Sequence, residues 1–563
     1  MRRAGGRLCS ALRWAGVAVG LAAAIGCVRR ESPTLESWPA RLAATIDDPD
    51  RKLSLAWQGS CYAEGGREGS WLQRRMEERF NVALAVAFIP SFSYDKAIRF
   101  KLIGDEIPDV FWVASPREAA RFAAHGFTVE VPYEAVVKFA PDYVRLLQEH
   151  APAAWMLTHV EGRNIGLPTF ALSTRFPLNG VWNRTWLERV GITEIPETLA
   201  EFETALRKFH TDDPDRDGRR YTRGMATVKP GTGGAGDSSF QEIFGAHGTI
   251  INGWMEREGR LVSGGILPEV RPILALLRRW YAEGLIHPDY STAPSGNLEL
   301  RNQLLKGSVG YMLAWGYGVF NLENPGSVYS LFRTVHPDQE LAPAWFTTGP
   351  IGACGVRIGG GLVGGIMLIG RHVADAPEIM VRVLSMINEA ARDEATYLEL
   401  HIGREGLHWR WDPERGILKL PPYDRRALGA QELLGEGIGF DLGANHGYFL
   451  PFSASQKLVD RFTPAAQRRY RETYNRPAWG LTDSLALPDI MPSATRLLPH
   501  LAERQAQIFA SIVAGQRPLE AFDEFVREWP RLGGDVLTRE ANDLFARKQA
   551  IIGRVRALLE QGS

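Results

Sequence analysis

Residues 82–89 read VALAVAFI, an almost unbroken apolar run. An apolar run of this length predicts a strand that is buried on both faces, as in a parallel sheet covered by helices. The segment Ser70–Phe80 before it has the apolar spacing of a helix, and a short strand is predicted at Lys52–Trp57. A helix around Tyr94–Leu102 and another buried strand at Pro108–Val113 follow. This alternation of strand and helix predicts the α/β class, with a parallel, doubly wound sheet.

A second region of mainly helical pattern begins near Asn183, and its clearest helix is predicted at Glu269–Gly284. Short strands reappear at Val309–Leu313 and at Gly361–Ile369, which suggests that the chain returns to the first sheet. A chain that passes twice between two lobes forms a cleft with a hinge. Ligands of open α/β sheets bind at the carboxyl ends of the strands, and two such ends would face each other across this cleft.

The chain has 563 residues, too many for one hydrophobic core, so at least two domains are expected. The expected organisation follows from the patterns above and from the amino terminus described next. It consists of a signal peptide at 1–27, a tether at 28–50, the first part of the N-terminal lobe at 51–180, the first part of the C-terminal lobe at 181–310, segments that return between the lobes and line the cleft at 311–460, and a C-terminal helical region at 461–563.

The amino terminus has the pattern of a bacterial lipoprotein signal peptide. Early arginines, among them Arg2 and Arg7, precede an apolar stretch at Trp14–Ile25, and small residues lead to Cys27. The apolar stretch is shorter than the ~20 residues of a membrane-spanning helix. We therefore expect export, lipidation of Cys27 and a soluble body tethered by lipid, with an ordinary secretory peptide or an uncleaved anchor as alternatives.

Composition excludes the charge pattern typical of nucleic-acid binding. Lys plus Arg and Asp plus Glu each number 65, so the chain carries no net positive charge. A polyanionic ligand remains compatible, because a local basic patch can lie in a neutral protein. The cysteines Cys61 and Cys354 could pair in an oxidising compartment, although lone cysteines are more often small buried side chains.

Several segments across the chain resemble one family, the large extracellular solute-binding lipoproteins that serve ABC importers of complex saccharides and include the alginate-binding proteins. The matching segments are WNRTWLERVG at 182–191, PETLAEF at 196–202, WYAEGLIHP at 280–288, GREGLHW at 403–409, GQRPL at 515–519 and GGDVLTREANDLF at 533–545. The resemblance implies a two-lobed periplasmic-binding-protein fold with hinge strands and a helical C-terminal region. It also implies a monomer in the cell envelope that binds an oligosaccharide, performs no catalysis and delivers its ligand to ABC permease subunits.

The segment DPDRDGR at 213–219 follows the predicted helix that ends near His210. Aspartates at alternate positions, with a glycine at the turn, place hard oxygen ligands around one point, as calcium requires. The resemblance implies a structural Ca²⁺ site with ligands from Asp213, Asp215, Asp217, the backbone carbonyl of Arg219, and Thr222. The family usually has a further oxygen ligand where this chain has Tyr221, and Gly224 cannot supply a bidentate carboxylate. The alternative is a solvated Asp-rich turn that caps a helix.

Sixteen tryptophans are many for a chain of this length. Sugar rings stack their C–H faces on aromatic rings, and their hydroxyls need planar polar partners. The predicted substrate-binding residues are Trp57, Trp112, Trp315, Tyr317, Trp345, Trp409 and Tyr448. About half of this set is expected to serve only in packing, and helical spacing already assigns Trp186 and Trp280 to packing positions.

Other motifs give weak signals. The loop GTGGAG at 231–236 has the spacing of a dinucleotide-binding turn, but Pro230 is unsuited to the strand that should precede it. His401 and His408 could form a metal pair only with a third ligand that the sequence does not identify. The chain has neither a Gly-x-Ser-x-Gly elbow nor a His-Glu-x-x-His helix. Two rival functions remain: a binding protein for a peptide or other small solute, and an exported polysaccharide-degrading enzyme.

Overall fold

The computed structural model describes residues 37–61, 69–170, 178–218, 223–227, 240–287, 290, 297–315, 317–320, 327–344, 347–353, 355–357, 363–414, 416–421, 450–453, 458, 461–462, 468, 480–485 and 490–562. The predicted lipidation site Cys27 lies outside these residues. Among the residues that the structure describes, no helix combines the length and the hydropathy that a bilayer span requires.

The strands are β1 Leu53–Cys61, β2 Val82–Pro90, β3 Val110–Val113, β4 His159–Val160, β5 Arg163–Asn164, β6 Gly166–Phe170, β7 Leu178–Asn183, β8 Arg223–Met225, β9 Trp254–Arg257, β10 Arg260–Ser263, β11 Val309–Trp315, β12 Leu341–Pro343, β13 Thr348–Gly349, β14 Gly352–Ala353, β15 Gly355–Arg357, β16 Val363–Ile369, β17 Trp409–Asp412, β18 Gly416–Lys419 and β19 Gly480–Thr482. The helices are α1 Trp38–Ala44, α2 Trp71–Phe80, α3 Ser91–Ile103, α4 Pro116–Ala124, α5 Tyr133–Phe139, α6 Pro141–His150, α7 Trp155–Thr158, α8 Arg184–Arg189, α9 Leu199–Thr211, α10 Gln241–Ala246, α11 Val270–Ala282, α12 Asn297–Leu305, α13 Val328–Val335, α14 Pro377–Arg392, α15 Glu394–Ile402, α16 Ala494–Val513, α17 Glu520–Glu528 and α18 Asp535–Gly562.

The first lobe is built on a five-stranded sheet of order β2-β1-β3-β16-β6. Strands β1, β2 and β3 are parallel, and helices cover both faces, with α2 and α14 on one side and α3 and α4 on the other. On β2, the edge strand of this sheet, Val82 and Leu84 are buried whereas Ala85 is exposed, so the strand is not covered on both faces along its length as residues 82–89 predicted. The predicted α/β class is confirmed. The parallel arrangement predicted for the first strands is found in β1, β2 and β3, whereas β16 runs antiparallel to both β3 and β6.

The second lobe is built on a four-stranded sheet of order β12-β7-β11-β8. An aromatic core covers it, in which the ring of Trp182 lies 5.0 Å from Phe202 and 4.5 Å from Tyr311, measured between centroids. Trp186 and Trp280 are fully buried in the same core, as their helical spacing predicted. The strand expected at 309–313 does not return to the first sheet: it is part of β11, which pairs with β7 and β8.

The chain crosses between the lobes more than once. It leaves β6 of the first sheet and enters β7 of the second, then returns through β15 to β16. Phe452 and Phe462 pack in the first lobe, whereas Leu485 and Met491 pack in the second. Strand β19, which lies between these two pairs in sequence, is parallel to β15. The crossing strands β15 and β19 thus lie side by side, as hinge strands do.

The C-terminal helices do not form a separate unit. Helices α16 and α17 pack on the second lobe, with Phe509 and Phe525 buried in its core. Helix α18 begins in the second lobe and ends against the first: Leu537 is buried in the second core and Val555 in the first core.

Candidate functional site

The path of the chain shows which edge of each sheet faces the other lobe. Strand β6 ends at Phe170, where the chain departs for the second lobe, and β3 runs parallel to β6 because both are antiparallel to β16. The carboxyl end of β3, with Trp112, therefore lies at the edge of the first sheet that faces the second lobe. In the second sheet the chain arrives at Leu178, and Trp315 pairs with Leu178. Trp112 and Trp315 thus lie on the two edges joined by the crossing segment.

The ring of Trp112 is held in place at this edge by a hydrogen bond and by packing. Its ring is partly exposed, its Nε1 donates to the Oγ1 of Thr169 at 3.4 Å, and its ring centroid lies 5.9 Å from that of Tyr94. The ring lies against the backbone of Gly365 on β16, whose φ is +134° at a register irregularity of the strand. A side chain at 365 would come within 2.6 Å of the Trp112 ring, so only glycine fits there.

The other predicted aromatic residues have different positions. Trp57 is only 2% exposed and lies inside β1, because that strand continues to Cys61 rather than ending at residue 57. Trp409 is 3% exposed, donates its Nε1 to the carbonyl of Gly403 at 2.9 Å, and packs in the first core. Neither ring offers an open face to a ligand in this conformation.

Three further predicted residues are only partly placed or not placed. Tyr317 begins a short 3-10 turn directly after β11, so its backbone lies at the same sheet edge as that of Trp315. The side chains of Trp315 and Tyr317 lie outside what the structure describes. Trp345 and Tyr448 lie wholly outside the described residues.

The aspartate loop follows α9, whose N-terminus is fixed by a reciprocal capping box. The Thr198 side chain accepts from the backbone N–H of Glu201, and the Glu201 side chain accepts from the N–H of Thr198. The helix buries Phe202 and Phe209, which sets the direction in which the chain leaves at Asp212. The loop is thereby anchored to the core of the second lobe.

The loop brings three carboxylates together. One oxygen each from Asp213, Asp215 and Asp217 lies within 4.8 Å of the others. Asp213 adopts φ of +50°, a left-handed conformation that turns the chain sharply, and its Oδ2 accepts from the N–H of Gly218 at 3.2 Å. The other oxygen of Asp213, Oδ1, is buried and has no hydrogen-bond partner among the described residues. A buried carboxylate oxygen without a partner is costly, so the loop fits a bound cation.

The chemistry of these donors selects hard cations. Hard carboxylate oxygens on a short loop suit Ca²⁺, which takes six to eight oxygen ligands in flexible geometry. The further predicted ligands Arg219 and Thr222 lie outside the described residues. Within the described part of the chain, no other group of three acidic, histidine or cysteine side chains converges in this way.

The loop is also tied to the rest of the second lobe. The guanidinium of Arg189 donates to the backbone carbonyl of Pro214 at 2.9 Å and lies 3.4 Å from the carboxylate of Asp338. A cation bound by the loop would therefore fix the C-terminal end of α9 relative to α8 and the β12 side of the sheet. That role is structural.

Sequence reasoning missed one buried acid in the second lobe. Glu242, at the start of α10, is 7% exposed, accepts from the hydroxyl of Tyr311 and lies 3.5 Å from the Oγ1 of Thr347. Burial raises the pKa of Glu242 to about 7, against the opposing effect of these hydrogen bonds. A lone Glu in an unassigned helical stretch carries no sequence signal, and only tertiary packing reveals it.

The histidine pair serves in packing. His401 stacks on Tyr397 with centroids 5.2 Å apart. His408 is fully buried, its ring lies 4.4 Å from that of Trp71, and its Nδ1 accepts from the N–H of Arg404. The described residues supply no third metal ligand beside them.

The concave features of the second lobe include two that are lined in part by α11. A cavity of about 40 Å³ between α10, α11 and α16 is lined by Phe244, Leu277 and Phe509, and it is far smaller than the roughly 300 Å³ of a typical ligand pocket. An open groove of about 680 Å³ lies between α9, α11 and residues 348–350. Neither includes Trp112 or the edge of the first sheet, so neither is the predicted interlobe site.

Comparison with known sequences finds relatives that match part of the chain. No protein-family profile matches it. It is 25% identical over 248 residues to lipoprotein LipO of Bacillus subtilis (strain 168), an alignment covering 43% of this chain and 46% of LipO. It is 21% identical over 362 residues to the polygalacturonan/rhamnogalacturonan-binding protein YtcQ of the same organism, covering 64% of this chain and 68% of YtcQ. The chain thus matches about half the length of LipO and about two thirds of YtcQ.

Solved structures match over nearly the whole chain. An extracellular solute-binding protein from Bifidobacterium longum subsp. infantis superposes with a TM-score of 0.63 at 14% identity, covering 89% of this chain and 100% of that one. The chain has the solute-binding-protein fold. The two-lobed periplasmic-binding-protein fold and the resemblance to these proteins are thereby confirmed.

Two other solute-binding proteins share the fold. The alginate-binding protein AlgQ2, in a structure without calcium ion, has a TM-score of 0.54 at 14% identity and covers 88% of this chain and 98% of that one. The Streptococcus pneumoniae ABC-transporter substrate-binding protein FusA, as an EF-hand mutant in complex with fructo-nystose, has a TM-score of 0.54 at 15% identity and covers 89% of this chain and 100% of that one. At these identities the likeness is one of fold.

Proposed function

We propose that the chain is the lipid-anchored substrate-binding component of an ABC importer and that it captures an oligosaccharide in the cleft between its lobes. The observation that carries this proposal is the full-length fold shared with solute-binding proteins, two of which are described as binding alginate and fructo-nystose. The partial match to a polygalacturonan/rhamnogalacturonan-binding protein supports a saccharide over a peptide as the ligand.

In this proposal the sugar lies between the two facing sheet edges. Trp112 supplies a partly exposed ring from the first lobe, and Trp315 and Tyr317 follow the facing edge of the second. Apolar sugar faces stack on such rings, and residues from both edges grip the ligand only when the lobes approach each other. Ligand binding therefore favours a closed form, which the permease would recognise. Trp345 and Tyr448 remain candidates for the same role.

Ca²⁺ in this proposal is held by Asp213, Asp215 and Asp217, with the backbone carbonyl of Arg219 and with Thr222. The Oδ1 of Asp213, which has no hydrogen-bond partner among the described residues, supports the site. The structures of AlgQ2 without calcium ion and of an EF-hand mutant of FusA also support it, because both refer to such a site in proteins of this fold. The ion would stabilise the second lobe and would take no part in ligand contact.

Anchoring through Cys27 would hold a monomeric protein at the outer face of the membrane, beside its permease. This arrangement raises the local concentration of the binding protein at the transporter. The name of LipO, a lipoprotein, supports the anchor. No nucleic-acid partner and no catalytic reaction are part of the proposal.

A thermal-shift screen tests the proposed cargo. Neutral and acidic oligosaccharides are compared with short peptides, and a ligand that binds only the folded state raises Tm by mass action. We expect at least one oligosaccharide to raise Tm and no peptide to do so. A rise in Tm with peptides alone would show that the ligand is a peptide. Release of shorter saccharides during the incubation would identify the protein as an enzyme.

A further inference from the structure

Helix α18 is the longest helix of the described chain, at 28 residues, or about 42 Å. It is packed into both lobes. Leu537 and Ala541 belong to the core of the second lobe, and Ile551 and Val555 belong to the core of the first. Leu544, between these pairs, packs against both cores. One continuous helix thus spans the junction that the crossing strands also span.

The second-lobe half of α18 is held by hydrogen bonds from its side chains to backbone groups of the second lobe. The side-chain amide of Asn542 accepts from the N–H of Leu261 and donates to its carbonyl, each at 2.9 Å, so it pairs with β10 as a neighbouring strand would. Glu540 accepts from the N–H of Ser493 at 2.9 Å. These contacts are directional, and breaking them would leave backbone groups of β10 unpaired.

The middle of α18 is fixed beside the crossing strands. Lys548 is 9% exposed, and its Nζ donates to the carbonyl of Ser484 at 2.5 Å, directly after β19. Asp483 is 1% exposed and accepts from the N–H groups of Trp254 and Leu485. A buried ammonium with this acceptor and this nearby carboxylate locks the helix to the segment that leaves the hinge.

The first-lobe half of α18 is held differently. Its attachments include the apolar contacts of the buried Ile551 and Val555 and of the partly buried Leu558 and Leu559. They also include an ion pair of Arg554 with Glu134 at 2.7 Å, in which both side chains are about half exposed. Arg554 also lies over the ring of Tyr133, 5.4 Å from its centroid. Apolar contacts and a solvated ion pair are not tied to one geometry, and an exposed ion pair adds little stability.

From this asymmetry we infer that α18 is an interlobe strap: it moves as part of the second lobe and holds the first lobe through a releasable contact at Ile551, Arg554 and Val555. Rotation of the lobes about β15 and β19 then requires the C-terminal half of α18 to slide on, or leave, the surface formed by α5, α6 and α7. The strap sets how far the lobes separate without ligand. The inference depends on the two-lobed fold but not on the proposed cargo.

Small-angle X-ray scattering of the ligand-free protein tests the strap. The double variant Ile551→Ala with Val555→Ala weakens the first-lobe contact, and Arg554→Ala weakens it less. The matched control is Arg539→Ala, which removes an exposed arginine of the same helix whose ion pair is with Asp535. We expect the radius of gyration to rise from about 24 Å, the value for a compact chain of this length, by about 1 Å in the double variant. Arg554→Ala should give a smaller rise and Arg539→Ala none.

Hydrogen exchange on the same samples makes the outcome decisive. The strap predicts faster exchange at 548–560 in the double variant, with unchanged protection in β1–β3. Faster exchange at 548–560 together with a wild-type radius of gyration would overturn the inference, because the helix would be released without freeing the lobes. Lost protection throughout β1–β3 would also overturn it, because the residues would then serve only the stability of the first lobe.

Discussion

Two buried ionisable side chains, one in each lobe, have opposite kinds of partner. In the first lobe Arg382 on α14 is 2% exposed, yet its guanidinium is saturated with acceptors. It donates to the carboxylate of Asp47 at 2.8 Å and to the backbone carbonyl of Phe80 at 2.6 Å, and further carbonyls at Asp48 and Arg51 complete its set. This one side chain fastens the segment before β1 to the end of α2.

In the second lobe Glu242 is almost equally buried, but among the described residues it has no ion pair. Its partners are the hydroxyls of Tyr311 and Thr347. A buried carboxyl with neutral partners keeps its proton more tightly than in water, whereas a buried guanidinium with a full set of acceptors stays charged. The first lobe is therefore held by a fixed charge, and the second contains a group whose charge depends on pH.

Replacing Arg382 should break the first lobe most severely. Arg382→Ala leaves Asp47 and several backbone carbonyls without their buried donor, and we expect a loss of about 3–5 kcal/mol in the free energy of unfolding. Urea denaturation measures the loss, and hydrogen exchange should localise it to the first lobe. Arg392→Ala, an exposed arginine on the same helix, is the control and should change stability little. Equal effects of the two substitutions would refute the role of Arg382.

The pH dependence of the second lobe is the next largest effect. The pKa of Glu242 is raised from 4.5 to about 7 in the folded protein, so the folded state binds this proton more tightly than the unfolded state between these pH values. The stability that Glu242 contributes is therefore fully present below about pH 4.5 and is lost as the pH rises through about 7. Between these values the loss is roughly 1.4 kcal/mol per pH unit.

Glu242→Gln should remove this slope, so the variant gains stability relative to the wild type as the pH rises. Urea denaturation at several pH values measures the difference, with the exposed Glu258→Gln as control. Parallel stability curves for wild type and Glu242→Gln would show that the buried carboxyl does not hold its proton.

Calcium should stabilise the second lobe and leave the stability of the first lobe unchanged. At 100 times the Kd, a ligand specific for the folded state adds about 2.7 kcal/mol. We expect Ca²⁺ to protect α9 and the second sheet from hydrogen exchange in the wild type but not in Asp215→Asn with Asp217→Asn. Mg²⁺, which demands stricter octahedral geometry, should act more weakly. Equal protection of wild type and variant by Ca²⁺ would show that these aspartates do not bind the ion.

The smallest expected effect concerns the helix that carries the loop. Thr198→Ala removes the N-cap acceptor of α9 and should cost about 1 kcal/mol, measured by urea denaturation. Thr204→Ala, an exposed position within the same helix, is the control. If Thr204→Ala destabilises as much as Thr198→Ala, the capping box is not what fixes α9.

Local patterns predicted the elements of the fold better than their pairing. The strand at 82–89 and the helix at 70–80 appear nearly as expected, because an apolar run and helical spacing can be read from consecutive residues. The antiparallel direction of β16 and the placement of β11 in the second sheet depend on contacts between distant segments. The apolar pattern of a short strand reveals neither the direction of the strand nor the sheet that it joins.

The candidate site shows the same division. The aspartate loop could be found from the sequence because its candidate ligands are at alternate positions in one short segment, and the structure brings the three carboxylates together. Trp57 illustrates the opposite case: the ring was expected at a strand end, but the strand continues and the ring packs in the core. Glu242 was not found, because its significance lies in Tyr311 and Thr347, which are distant in sequence.

Compaction on ligand binding tests the central claim most directly. Small-angle scattering of the wild type is measured with and without the oligosaccharide that raises Tm most, and again with Trp112→Ala. We predict that the saccharide decreases the radius of gyration of the wild type, and that Trp112→Ala needs a higher concentration for the same decrease. A saccharide that binds and leaves the radius of gyration unchanged, or that binds Trp112→Ala as tightly as the wild type, would contradict capture in the interlobe cleft.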